Sequence, residues 1–123
     1  MLRFGSEPFL ECSGAGDKRF SSFYAYVKRH RDTIENLYQA YKIFEDGSTG
    51  LHWSEAKGKT PINLKECVDY YSYLWDTYIQ ENPELLDVLD MYNGFSDIYG
   101  QKNHQCQAAE LWRIKNDIMF KFL

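Results

Sequence analysis

Two apolar stripes at helical spacing set the strongest limit on what this chain can fold into. Ile34, Leu37, Tyr38, Tyr41 and Phe44 fall at i, i+3, i+4, i+7 and i+10, one face of an amphipathic helix. The pattern predicts a helix over Thr33–Phe44, with Asp32 and Glu35 spaced as a capping box. Leu64, Cys67, Val68, Tyr71, Trp75 and Tyr78 predict a second helix over Leu64–Glu81, capped by Asn63 with Glu66 three residues on. Asn82-Pro83 restarts the chain, Asn as N-cap and Pro at the first helical position, for a third helix over Glu84–Met91 that buries Leu85, Leu86 and Leu89. A last helix over Gln105–Phe122 carries Ala108, Leu111, Trp112, Ile118, Met119 and Phe122 at core spacing. The expected fold is mainly α, in effect all-α, with about four principal helices.

The remaining stretches read as loop. Residues 1–19, broken by Gly5, Pro8, Gly14 and Gly16, leave room for a short strand near Phe9–Cys12 and little other β structure. Residues 45–62 and Gly94–Asn103 are two long connections, and loops of that length inside a small domain are usually functional or mobile. At 123 residues the chain makes one domain, 1–123, large enough for its own core. Hydrophobic residues at 44% and charged ones at 26% exclude a disordered tail. The aromatic share is high at 17% and much of it is Tyr, which suits a half-wet pocket wall as well as a core.

A formal charge of −4 argues against a strongly basic nucleic-acid clamp, while Lys28-Arg29-His30-Arg31 forms one local basic cluster able to steer a polyanion. Cys12, Cys67 and Cys106 are odd in number, far apart and free of CxxC spacing, so neither a disulfide framework nor a structural zinc site is expected. The first residues lack a signal-type apolar run and no stretch of 18 apolar residues occurs. The expectation is a soluble, cytoplasmic protein with no membrane association.

Three stretches carry a resemblance. Phe20-Ser21-Ser22-Phe23 is similar to an F-S-N-F motif, Thr33-Ile34-Glu35-Asn36-Leu37-Tyr38-Gln39-Ala40-Tyr41-Lys42 to a T-x-E-H-x-[FY]-Q-A-x-K helix, and Ser96-Asp97-Ile98-Tyr99-Gly100 to an Asp-x-x-Trp-Gly loop. Asn103 and Arg113 keep the spacing of an N-x-L-G…R ending. Ala56-Lys57-Gly58-Lys59 and Asn82-Pro83-Glu84-Leu85 are weaker echoes of a basic glycine turn and an N/H-P-E-L junction. In this order the set resembles the NADAR family, N-glycosidases that act on ribose-linked substrates. The chain departs from the pattern at Asn36 for His, at Tyr99 for Trp, at Gln101-Lys102 in place of a glycine-rich run, and at Gln105-Cys106 for L-G.

The resemblance implies a single NADAR-type domain that hydrolyses an N-glycosidic bond to ribose in an ADP-ribose conjugate or a related ribosyl phosphate. An ADP-ribosylated nucleic acid or protein is within that substrate class, and a phage or mobile-element origin fits a family tied to ADP-ribose signalling. Such a cleavage builds positive charge on the sugar C1, which a fixed carboxylate stabilises while it or a neighbour takes a proton from water. On a helical period Glu35, Gln39 and Lys42 share one polar face. The resemblance makes Glu35 and Asp97 catalytic, has Asp97 and Asn103 hold the ribose or the water, and makes Lys42 with the Lys57–Lys59 turn a phosphate grip. Phe20, Ser21, Phe23, Gln39 and Tyr99 complete the expected substrate site.

Each of these residues also has a plainer reading. Glu35 fits a capping box with an exposed face, Asp97 a turn aspartate bonding its own backbone, Lys57 and Lys59 a solvated loop, and Phe20 with Phe23 buried apolar anchors. The chemistry needs no metal and no organic cofactor; His52 and His104 have no partner at ligand spacing. Trp53, Trp75 and Trp112 are expected in the core or a pocket wall, and Cys67 as an inert core thiol. The rival function is a non-catalytic module that binds an ADP-ribose-like ligand or a partner protein.

Overall fold

The computed structural model describes residues 1–100, 106–117 and 120. Four strands, four α-helices, a fifth strand and a fifth α-helix follow one another along it: β1 (Leu2–Gly5), β2 (Phe9–Glu11), β3 (Tyr26–Val27), β4 (Asp32–Thr33), α1 (Ile34–Tyr41), α2 (Trp53–Ala56), α3 (Leu64–Glu81), α4 (Leu85–Asp90), β5 (Gly94–Asp97) and α5 (Gln107–Asn116). With 44% helix and 15% strand the described residues form an α/β mix, which corrects the mainly α, all-α expectation. No helix among the described residues is long and apolar enough to cross a membrane.

The principal sheet has the order β1-β5-β2, with β5 antiparallel to β1 and parallel to β2. Its central strand is drawn from a segment expected to be loop. Gly94-Phe95-Ser96-Asp97 holds a single large apolar residue, so no alternation betrays it. Yet all four residues are buried, and Phe95 sits between Phe4 and Leu10 in register. Gly94 is required by packing, since a Cβ there would lie 2.7 Å from the Phe9 ring. The second sheet is the two-residue ribbon of β3 and β4, whose turn holds the Lys28–Arg31 cluster. The backbone N–H groups of Lys28 and Arg29 donate to the Glu81 carboxylate, which ties that turn to the end of α3.

α3 keeps its expected bounds and supplies the centre of the core: Cys67, Tyr71, Leu74, Trp75, Tyr78 and Ile79 are buried. It packs on α1 through Tyr38 and Tyr71, ring centroids 4.9 Å apart. α1 ends at Tyr41 rather than Phe44, because Lys42 leaves helical geometry and the chain turns back to bridge Ile43 with Thr49. α2 is an extra helical turn inside the long 45–62 connection. Asn82 caps the end of α3, its amide donating to Tyr78 O, while α4 starts at Leu85. On α5, Ala108, Leu111 and Ile114 are buried and Trp112 packs against Phe95, centroids 6.3 Å apart. The Ile118, Met119 and Phe122 part of the expected last helix lies outside the described residues. All three cysteines are free and buried.

Candidate active site

The site is built around the start of α1. The first N–H groups of a helix have no partner inside it, and here two of them are satisfied by the preceding loop. Ile34 N–H donates to Ala25 O at 2.9 Å and Glu35 N–H to Ser22 O at 3.0 Å. The expected capping box does not form. Thr33 is the N-cap, its Oγ1 accepting from Asn36 N–H, and Asp32 accepts from Asn36 Nδ2. The Glu35 carboxylate is therefore free of capping duty. Its Oε2 accepts from the Ser22 hydroxyl at 3.0 Å and its Oε1 from Gln39 Nε2 at 2.9 Å. The polar face of α1 is turned inward: Glu35, Gln39 and Lys42 are 7%, 5% and 5% exposed.

Asp97, the last residue of β5, is 4% exposed. Its Oδ1 accepts from Tyr99 N–H at 3.0 Å; its Oδ2 accepts from Gln107 Nε2 at 2.7 Å and from the Cys106 thiol at 3.5 Å. Gln107 Oε1 in turn accepts from Ser22 N–H at 2.9 Å. Both carboxylates thus belong to one hydrogen-bonded network, and both line one cleft of about 620 Å³. Neither belongs to any ion pair among the described residues.

Cations surround the cleft without neutralising its floor. The Lys42 ammonium donates to Ala56 O at 3.2 Å and Lys59 O at 3.0 Å, so it clamps the α2 turn in place. Burial pulls the Lys42 pKa below its ordinary value, against the opposing pull of Cys67 and Glu35. Gly58, at φ +78, makes the turn that spaces exposed Lys57 from exposed Lys59. The Lys57 ammonium lies 5.1 Å from the Phe23 ring and 5.8 Å from the Trp53 ring, a cation–π contact at the cleft mouth. Tyr38, Val68 and Tyr71 add the apolar wall, and Tyr99, 73% exposed, stands at the rim.

Of the residues expected from the sequence, Glu35, Asp97, Phe23, Gln39, Lys42, Lys57, Lys59 and Tyr99 meet at this cleft. Phe20 and Ser21 do not: both are fully buried outside its lining, and Phe20 is a core side chain. Arg113 is also elsewhere, bonding Asp76, Glu110 and Ser72 O to tie α5 to α3. Asn103 and His104 lie outside the described residues. Sequence reasoning missed Ser22 and Gln107. Ser22 stood inside a quoted motif; Gln107, a lone glutamine at a helix start, carried no signal. Among the described residues no three His, Cys, Asp or Glu side chains gather as a metal ion requires.

Glu11 holds the segment that presents Asp97. Its Oε2 accepts from Ser13 N–H at 3.0 Å and Ile98 N–H at 3.2 Å, and its Oε1 from the Ser96 hydroxyl at 2.9 Å. Burial pushes its pKa up, but the bonds from Ser13, Ile98 and Ser96 outweigh it and leave the pKa below the ordinary carboxylate value. A lowered folded-state pKa contributes stability that is present above the unfolded value and is lost as pH falls through the folded one. Glu11→Gln is therefore expected to lower the thermal midpoint at neutral pH and to flatten its fall between about pH 5 and pH 3. Parallel midpoint curves for the two proteins across that range would contradict this account.

Comparison with models of protein families finds none that matches the chain, and comparison with curated proteins finds no match either.

Proposed function

We propose that the protein is an N-glycosidase that hydrolyses an N-glycosidic bond to ribose in an ADP-ribose conjugate or a related phosphorylated nucleotide-like metabolite. The observation that carries this reading is the pair of buried carboxylates, Glu35 and Asp97, lining one cleft with no cation paired to either among the described residues. Buried carboxylates without an ion-pair partner are costly and most useful where positive charge develops during reaction. Cleavage of the C1–N bond sends its electron pair to the leaving base and leaves an oxocarbenium-like sugar between them. Glu35 stabilises that charge and takes the proton of the attacking water as its oxygen bonds to C1; Asp97 orients the ribose or the water. Lys57 and Lys59 suit the phosphates as exposed point charges on a glycine turn, and the Phe23 ring, braced edge-on by Trp53, offers surface to the base. The resemblance of three sequence stretches to the NADAR family points the same way.

A second reading is a binding module that keeps the cleft without turnover. Tyr99 in place of the family's Trp and the shortened glycine run before Asn103 favour it.

ADP-ribose binds only the folded state under either reading and is expected to raise the thermal midpoint. At a hundredfold excess over Kd the added stability is about 2.7 kcal/mol, several degrees for a chain of this length. No shift at millimolar ADP-ribose or ribose 5-phosphate contradicts both readings. Binding without release of base from any conjugate in a panel that includes NAD⁺ selects the second.

A further inference from the structure

We propose that Gln107 is the positioning residue of this site: its amide aims Asp97, keeps that position singly charged, and registers it to Glu35 through Ser22. The inference rests on the ribosyl-hydrolase reading above and assigns a role to a residue that reading does not use.

The orientation of the amide is dictated at both ends. Ser22 N–H can only donate, so the atom facing it is Oε1; an ionised carboxylate can only accept, so the atom facing Asp97 is Nε2. One rigid planar group therefore fixes the distance between residue 22 and Asp97, with bonds of 2.9 and 2.7 Å. Ser22 is held to Glu35 twice, accepting Glu35 N–H at its carbonyl and donating its hydroxyl to Oε2, both at 3.0 Å. Asp97, Gln107, Ser22 and Glu35 form an unbroken chain between the two carboxylates, whose host segments are otherwise far apart in sequence.

Gln107 does nothing comparable for its own helix. It opens α5, yet its side-chain bonds go to Ser22 and Asp97, and the helix has no side-chain cap at Cys106. Its neutrality matters as much as its reach. A cation at this place would cancel the charge of Asp97; a carboxylate would compete for the same proton. Among the described residues the other titratable groups around Asp97 do neither. Burial pushes the Cys106 thiol up to about 11 and the Cys12 thiol further still, so both are neutral at pH 7. Glu11, on the neighbouring strand, is engaged by its own three donors, and Glu35 faces the same cleft.

The test compares wild type, Q107E and the exchange D97N/Q107E by thermal midpoint and by ADP-ribose titration from pH 5 to pH 9. Q107E keeps the shape but sets two carboxyl groups against each other, which then share a proton. Its affinity for ADP-ribose is expected to hold while the pair keeps its shared proton and to fall at least about tenfold as rising pH removes that proton, where wild type stays level. The exchange restores a donor–acceptor pair with the charge moved to position 107. It is expected to bring the midpoint back toward wild type while affinity at pH 7 stays at least about tenfold weaker. A part confined to helix packing would instead give superimposable pH curves, or an exchange that recovers affinity together with the midpoint; either result overturns the proposal. Should Q107E alone fail to fold, the exchange still decides. No ADP-ribose binding by wild type at any pH would overturn the ribosyl reading itself, an outcome distinct from wild-type binding that Q107E leaves unchanged.

Discussion

Glu35→Gln is expected to lower release of free base from a ribosyl conjugate at least about a hundredfold while leaving ADP-ribose affinity nearly intact. The charge is what the transition state uses; the shape is what the ground state meets. The network around residue 35 tolerates the change. The Ser22 hydroxyl, now donating to Oε2, can accept as readily as it donates. Gln39 Oε1 has no hydrogen-bond partner among the described residues and is available to a new amide donor. Nor is any helix cap lost, because Thr33 and not Glu35 caps α1. Turnover by the variant equal to wild type would make Glu35 a buried structural acid and remove it from the mechanism.

Phe95→Ala is expected to cost about 3–5 kcal/mol, the usual loss for a large side chain deleted from a core. Phe95 is fully buried at the centre of β5, flanked in register by Phe4 and Leu10 and packed on Trp112. Set against a typical total stability of about 5–15 kcal/mol, that loss lowers the midpoint by roughly 10–20 °C. ADP-ribose binding is expected to fall with it, since β5 ends at Asp97. Were residues 94–103 the loop that the sequence implies, the same substitution would change stability by no more than about 0.5 kcal/mol. Chemical denaturation of the two proteins separates these outcomes.

The contrast between α3 and β5 shows what was legible in the sequence. α3 is long, its stripe repeats over five turns, and its packing follows from local spacing, so its bounds are read without tertiary information. β5 is four residues long and its partners lie some eighty or ninety positions away, at Leu2–Gly5 and Phe9–Glu11. With Gly, Ser and Asp in three of its positions nothing local favours a strand; pairing imposes one. α4 falls one residue inside its expected limits at each end. α1 overran because Phe44 continues the apolar spacing, while the clamp of Lys42 on Ala56 O and Lys59 O needs the chain to leave the helix there.

The site was legible in spacing and illegible in burial. Glu35, Gln39 and Lys42 at i, i+4 and i+7 announce a shared face, but a polar stripe on an amphipathic helix reads as the solvent side. Here the half-exposed face carries Tyr41, stacked on Tyr70 at 4.2 Å, and the carboxylate is inside. The inversion depends on the loop around Ser22 and on Gln107 arriving from the far end of the chain, which no local pattern encodes.

The most direct test of the central claim is a crystal structure of the protein bound to ADP-ribose. The account predicts the ribose between Glu35 and Asp97, with the diphosphate against Lys57 and Lys59 and the Asp97–Gln107–Ser22–Glu35 chain intact. A ligand seated outside this cleft, or one whose ribose reaches neither carboxylate, would contradict it.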